Sequence, residues 1–534
     1  MGASPANPLC YRSRPDKPRR QTHHDADEVE VRSTVPNLIH EPARDVPVLH
    51  DTDVLVAGAG ISGLFAALES AAAGARTTLV DEYSAVGGNY GPGLGSRHDL
   101  WQAPQQHDRG LGGQVGDFLD RLDARGGIKT FDFISGGDNV PWRWDGMAHI
   151  PVIDRNEFQR LALQRLRDLD VSLLLSTTVA GAIVDDGHVG GVIFETGEGR
   201  RAITAKVVID TTGEADVAAA AGAETEDAYA SAEAGFGLFF RVEDVDWEAY
   251  EEFRAAERDK PLSDEEERWV EEVLFVALER VWANYPRELL PFMMADWESG
   301  AYKYVASIPG GAHAYKIPFA THDQDVTTIE TRWPDHTLSA LNAIERSTIE
   351  SSARLHAYDT IEFYKRHVPG FENARVSQIA PYMGTRWSRT IIPDYTLSRD
   401  DIVGERHFDD VVHVLTTLYR YDDEARTGGR TRKLVNMRER EEGHHFDMPL
   451  GQFLPQGVEG MLAAGRSIGR DRTASLRWRW IAKVTGGVAG MAAARAVAEG
   501  VPPRHVDIQA LQRALVDVGY YLGEPSRLSE LGVA

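Results

Sequence analysis

The stretch D-V-L-V-A-G-A-G-I-S-G at residues 53–63 constrains the fold more than any other, because its three glycines fall between a strand signal and a helix signal. Val54–Ala57 is a short apolar run behind a turn-like D-T-D, and Leu64, Ala67, Leu68 and Ala71 then recur at helical spacing. Gly58, Gly60 and Gly63 therefore occupy a strand-to-helix turn, where glycine lets backbone approach a pyrophosphate and the helix start meets its charge with N–H groups. A second strand follows through A-R-T-T-L-V and ends at Asp81, eighteen residues past Gly63, where an acid can hold ribose hydroxyls. Glu82 stands beside it. This spacing predicts a βαβ unit for a dinucleotide, with Ile61 and Ser62 contributing N–H groups at the helix start.

Composition narrows the class. A chain of 534 residues with 42% hydrophobic residues can bury more than one domain's core. The net charge of −25 argues against nucleic acid or an anionic membrane as partner and leaves a small molecule, with room for a homo-oligomer. Cys10 is the only cysteine, which excludes an internal disulfide framework, a thiol–disulfide relay and a cysteine-ligated cluster. No histidine–cysteine grouping has ligand spacing, so no metal is expected. There is no apolar run of membrane-spanning length and no apolar leader, so a cytoplasmic location is expected.

Four regions follow. Residues 1–47 read as a Pro-, Arg- and Asp-rich tail. Residues 48–224 hold the βαβ unit, the Gly87–Gly88 pair, a glycine-rich loop N-Y-G-P-G-L-G-S-R-H-D-L-W, helices over V-G-D-F-L-D-R-L-D-A-R and D-R-N-E-F-Q-R-L-A-L-Q-R-L-R-D-L, and short strands ending in V-V-I-D-T-T-G. Residues 225–445 change to acidic helices and mixed strands and are expected to form a substrate or cap domain, the charge run at 264–272 being a solvated helix face. Residues 446–534 return with a strand at G-M-L-A-A, a G-R-S-I-G-R-D-R loop and a helix expected to open at V-T-G-G-V-A-G.

Four segments in this order, G-A-G-I-S-G, A-V-G-G, V-V-I-D-T-T-G-E-A-D-V-A-A-A-A-G-A and A-A-G-R-S-I-G-R-D-R, resemble the FAD-dependent oxidoreductase family, which is related to fumarate reductase-like and heterodisulfide reductase-like FAD modules. The resemblance covers roughly residues 46–130, 150–224 and 376–500 and implies an α/β fold: a Rossmann-like FAD-binding domain of glutathione-reductase type with an interleaved α+β substrate domain. It further implies FAD at Gly58, Gly60, Ile61, Ser62, Gly63, Asp81, Glu82, Gly87, Gly88, Val179, Thr212, Gly213 and Gly465, with Asp471 at the ribityl chain. Gly486 and Gly487 would stand at a helix start facing the flavin ring. The chain departs from the family at T-A-S-L-R-W, which lacks a histidine that members often carry, so a role for that histidine does not transfer.

Flavin chemistry needs a positioned substrate and a base. His98 in the glycine-rich loop and the His444–His445 pair are the candidate bases, and Arg386 and Arg389 in G-T-R-W-S-R-T are candidates for an anion clamp or, equally, for salt bridges within an acidic protein. The reading is an oxidoreductase that dehydrogenates a small polar metabolite and passes electrons to an external acceptor. The alternatives are an NAD(P)H-using reductase or hydroxylase, an electron-relay subunit, and a scaffold without FAD.

Overall fold

The computed structural model describes residues 39–95, 111–132, 149–227, 236–257, 260–269, 287–301, 319–323, 326–333, 339–385, 388–416, 445–469 and 479–534. The chain divides into residues 1–45, of which 39–45 are described, and a compact unit over 46–534. Cys10, His98, Arg386, His444 and Asp471 lie outside the described residues, as does the side chain of His445.

Strand β1 (Val48–Ala57) carries the opening motif, and Val54–Ala57 are buried on both faces, the pattern of a central parallel strand. Helix α1 (Ile61–Ala72) leads to β2 (Thr77–Val80), and α2 (Gly113–Asp123) to the hairpin β3 (Ile128–Asp132) and β4 (His149–Ile153). Helix α3 (Arg155–Asp168) starts at Asp154, whose side chain accepts from the Asn156 and Glu157 N–H groups, and leads to β5 (Ser172–Leu174). Strands β6 (Thr178–Asp185), β7 (His188–Thr196) and β8 (Gly199–Asp210) then form an antiparallel meander.

Strand β8 is long enough to do two things. Its first half pairs with β7, while Val208–Asp210 pair in parallel with a late strand, Met461–Ala463, and β1 runs along its other side. The parallel order is therefore β5-β2-β1-β8 and then that late strand, with the meander extending from the same strand. Helix α4 (Asp216–Ala220) and β9 (Thr225–Asp227) follow.

A second, antiparallel sheet is built by β10 (Phe236–Glu243), β11 (Phe319–Asp323), β12 (Val326–Trp333), β13 (Arg375–Ile379) and β14 (Gly384–Thr385), ordered β11-β12-β10-β13 with β14 also on β10. Helices α5 (Trp247–Glu257), α6 (Asp264–Trp269), α7 (Leu290–Ser299) and α8 (Ala343–His367) accompany it, and Phe240, Tyr250, Met293, Ile361, Tyr364 and Phe371 share its core. The chain then runs through β15 (Arg389–Ile391), α9 (Arg399–Val403), β16 (Val411–Thr416), β17 (His445–Pro449), the late strand β18 (Met461–Ala463), α10 (Arg479–Glu499), α11 (Ile508–Asp517) and α12 (Pro525–Leu531). Leu397, Ile402, Val412 and Leu415 pack in the core that holds Ile61 and Phe65, so the return to the first core comes earlier than the expected residue 446.

The last long helix corrects one expectation. Helix α10 begins at Arg479, so Gly486 and Gly487 lie in its interior and do not open it. Their role is close approach: a Cβ at Gly486 would sit 2.1 Å from the Ser62 carbonyl oxygen, one at Gly490 2.4 Å from that of Ala66, and one at Gly487 1.9 Å from the Tyr520 hydroxyl. Glycines four apart make a groove into which α1 fits. Among the described residues no helix is long and apolar enough to cross a membrane.

Buried among these helices, Glu69 of α1 is 2% exposed and accepts from the Gln114 N–H at 2.8 Å and the Tyr520 hydroxyl at 3.1 Å. Burial outweighs those donors and raises its pKa from 4.5 to about 7. The folded state thus holds this proton more tightly than the unfolded chain. The associated stability is present below about pH 4.5 and is lost as pH rises through about 7, a difference of about 3 kcal/mol. Relative to wild type, Glu69→Gln should therefore be more favourable at about pH 8 than at about pH 4 by that amount. Denaturant unfolding of both proteins across this range checks it, and parallel pH profiles would refute it.

Candidate functional site

The three motif glycines have three different jobs. Gly58 has φ +104°, and a Cβ there would lie 2.5 Å from the Thr211 carbonyl oxygen; one at Gly63 would lie 1.7 Å from that of Gly58. These two let β1, β8 and α1 close upon one another. Gly60 differs: its φ of −64° suits any residue, and a Cβ there meets nothing within 4 Å. The space it leaves is open, at the start of a helix with no side-chain cap and no acid in its first turn. Beside it the buried Ser62 hydroxyl has no hydrogen-bond partner among the described residues.

Two further segments wall this cradle. The Gly87 N–H donates to the Ala59 carbonyl at 2.8 Å, and a Cβ at Gly88 would lie 3.0 Å from the Gly60 Cα; Gly87 and Gly88 have φ values of +93° and +49°. Gly465, at φ +67°, brings the late loop against Ser62, where a Cβ would lie 2.7 Å from the serine Cβ. An uncapped helix start, an open glycine and an orphaned hydroxyl fit the pyrophosphate of a dinucleotide.

Asp81 follows β2 at the far end. Its carboxylate accepts from the Ala59 N–H at 2.5 Å and the Tyr83 N–H at 2.8 Å, and burial raises its pKa to about 6. These bonds tie it to the glycine turn and occupy two of its lone pairs, leaving others for a ligand hydroxyl. Glu82 beside it is exposed. Backbone bonds from Asp81 to Leu174, from Thr177 to Asp81 and from Ser176 to Tyr83 bring the β5–β6 turn alongside, with Val179 near the start of β6.

The third group is held by buried polar side chains that the sequence analysis did not single out. Asp210, fully buried at the end of β8, accepts from the Thr212 N–H (3.1 Å), the Thr212 hydroxyl (2.8 Å) and the Ala218 N–H (3.0 Å). The Ser467 hydroxyl accepts from the Gly213 N–H at 3.0 Å and the Ala215 N–H at 3.2 Å. Gly213, at φ +84°, leaves room for Arg466: a Cβ there would lie 2.7 Å from that guanidinium. Arg466 reaches Glu214 at 2.9 Å and the Ser388 hydroxyl at 3.2 Å, and burial raises the Glu214 pKa against that pairing. Arg389 donates to the Glu214 carbonyl at 2.7 Å and to Asp216 at 2.6 Å. It braces the 214–216 turn. The legible signal for this group was an acid at a strand end followed by a hydroxyl and a glycine, D-T-T-G, with a second hydroxyl in G-R-S. Among the described residues no group of His, Cys, Asp and Glu could hold a metal ion.

A parallel sheet whose strand ends carry an open glycine cradle, a buried acid at the second strand and a braced turn after β8 defines a dinucleotide-binding α/β protein. The chain belongs to the FAD dependent oxidoreductase family, whose model matches residues 53–515, and it is accordingly an enzyme with FAD as cofactor. No curated protein matches the chain. Similar solved structures include a geranylgeranyl bacteriochlorophyll reductase-like protein from Thermoplasma acidophilum (13% identity over 88% of this chain and 84% of that one, TM-score 0.42). They also include p-nitrophenol 4-monooxygenase from Pseudomonas putida DLL-E4 (11%, 90% and 92%, TM-score 0.41) and the myxobacterial chondrochloren halogenase (13%, 91% and 89%, TM-score 0.41).

Proposed function

We propose that the enzyme dehydrogenates a small polar metabolite, the bound FAD of a Rossmann-like, glutathione-reductase-type domain supplying the hydride acceptor and an external acceptor taking the electrons. The observation that carries this reading is the seam between the two sheets: at the start of α10, Arg479 lies 5.9 Å from the Phe239 ring of β10 and donates to Asn89 at 3.3 Å. A seam with a guanidinium, an amide and an aromatic face suits a small polar molecule better than an extended apolar one. The substrate carbon gives up hydride while its O–H or N–H proton goes to a base. The His444–His445 pair is the candidate base, with His98 the second. The same reading places the enzyme in the cytoplasm, as a monomer or homo-oligomer that binds neither nucleic acid nor membrane.

Anaerobic mixing of the purified enzyme with a panel of polar metabolites, followed by flavin absorbance, tests the reading. Bleaching by one class supports it; bleaching only by NAD(P)H favours the reductase or hydroxylase. With a substrate in hand, Arg389→Lys should lower the melting temperature slightly and leave the reduction rate unchanged, since its present bonds go to Glu214 and Asp216. A slowed rate at unchanged stability would return Arg389 to the substrate clamp.

A further inference from the structure

Tyr382 comes from the second sheet and touches both walls of the cofactor cradle. It lies in the turn between β13 and β14, which is held from two sides: the Ala380 N–H donates to the Phe239 carbonyl of β10 at 2.9 Å, and Arg354 of α8 donates to the Pro381 carbonyl at 2.6 Å. From this turn the Tyr382 ring stacks on Tyr83, with centroids 4.1 Å apart and planes inclined by 24°. Tyr83 is the residue whose N–H donates to the Asp81 carboxylate. At its tip, the Tyr382 hydroxyl would lie 3.3 Å from a Cβ at Gly93, whose N–H donates to the Gly88 carbonyl at 2.9 Å. One side chain thus bridges the wall that carries Asp81 and the wall that carries Gly88.

The hydroxyl makes no hydrogen bond among the described residues, although the side chain is half-buried. Burial, with Tyr83, Asp81 and Glu82 nearby, pushes its pKa above the ordinary tyrosine value against the pull of Arg466, so it stays a neutral donor at any working pH. Those neighbours also mark its place. Asp81 is the acid at the ribose end, and Arg466 follows Gly465, which lies against Ser62 at the helix start. A half-buried hydroxyl without a protein acceptor takes one from water or from a ligand, and the adenosine diphosphate half of FAD supplies oxygen acceptors on its ribose and its phosphates.

We propose that Tyr382 is a cofactor-binding residue contributed by the second sheet: its hydroxyl donates to an oxygen of the adenosine diphosphate half of FAD, while its ring, lying on Tyr83, fixes the turn that presents Asp81. The cofactor site is then shared between the two sheets. The inference rests on FAD lying in the Gly60 cradle and not on the identity of the substrate.

The test uses full-length Tyr382→Phe, which keeps the ring and loses the hydroxyl. FAD is stripped and re-added to read its dissociation constant, ADP is titrated as a competitor, and the melting temperature of the FAD-free protein is read alongside. The expected outcome is about tenfold weaker binding of both FAD and ADP, with the FAD-free melting temperature unchanged. Tyr382→Leu, which also loses the stack, should weaken both at least as much and lower that melting temperature. Wild-type affinity for FAD in Tyr382→Phe overturns the proposal. So does weaker FAD with unchanged ADP, which would put the hydroxyl on the flavin half, and so does a melting temperature as low as that of Tyr382→Leu, which would make the hydroxyl part of the fold. No metabolite is involved, so failure of the dehydrogenase reading leaves this result intact, and a Gly60→Val protein that still binds FAD would displace the cradle itself.

Discussion

Gly60→Val is expected to fold with nearly the melting temperature of FAD-free wild type and to purify without FAD, whereas Gly63→Val is expected not to fold. The contrast follows from what a side chain would meet. At Gly63 a Cβ would lie 1.7 Å from the Gly58 carbonyl oxygen, backbone that cannot move without opening the β1–α1 turn. At Gly60 nothing stands within 4 Å and the backbone is extended, so valine is tolerated by the protein and fills the space left for the pyrophosphate. Loss of FAD affinity should be at least about 100-fold, since both the close approach and its charged hydrogen bonds are forfeited. Flavin absorbance and thermal unfolding on the same preparations check it. A yellow Gly60→Val protein would move the cofactor away from this turn.

Asp210→Ala is expected to lose about 3–5 kcal/mol of stability, the cost of leaving several buried donors without an acceptor. The donors are the Thr212 and Ala218 N–H groups and the Thr212 hydroxyl, with the Ser467 hydroxyl at 3.4 Å. Burial raises the pKa of this carboxyl while those donors favour its charged form. Asp210→Asn keeps one acceptor oxygen and should lose less, about 1–2 kcal/mol. Because the same carboxyl shapes the turn that places Gly213 against Arg466, FAD occupancy should fall in step. Denaturant midpoints and flavin content of the two variants test this, and an Asp210→Ala protein as stable as wild type would mean that the turn is held by Ser467 and Arg389 instead.

How far the site could be read from the chain depended on whether its residues are neighbours in sequence. The glycine array, Asp81 and the Gly87–Gly88 pair fall within about thirty residues, and their spacing follows from the fixed geometry of a strand, a turn and a helix. The Asp210–Ser467 and Arg466–Glu214 contacts join positions more than two hundred residues apart, and periodicity has no access to them. Gly486 and Gly487 show the opposite error. A glycine pair ahead of an alanine-rich run reads locally as a helix start, yet Gly486, with Gly490, makes a groove for α1 and Gly487 makes room for Tyr520.

The sequence by itself determined that a dinucleotide turn exists, where its strand and helix lie, and which family the chain belongs to, because those properties are local or ordered along the chain. Only the tertiary structure decided which motif glycine faces open space and which faces backbone, that Arg389 braces a turn, and that Tyr382 of the second sheet stacks on Tyr83. Each of these is a question of what lies across a gap of a few ångströms, and that is set by how distant segments pack.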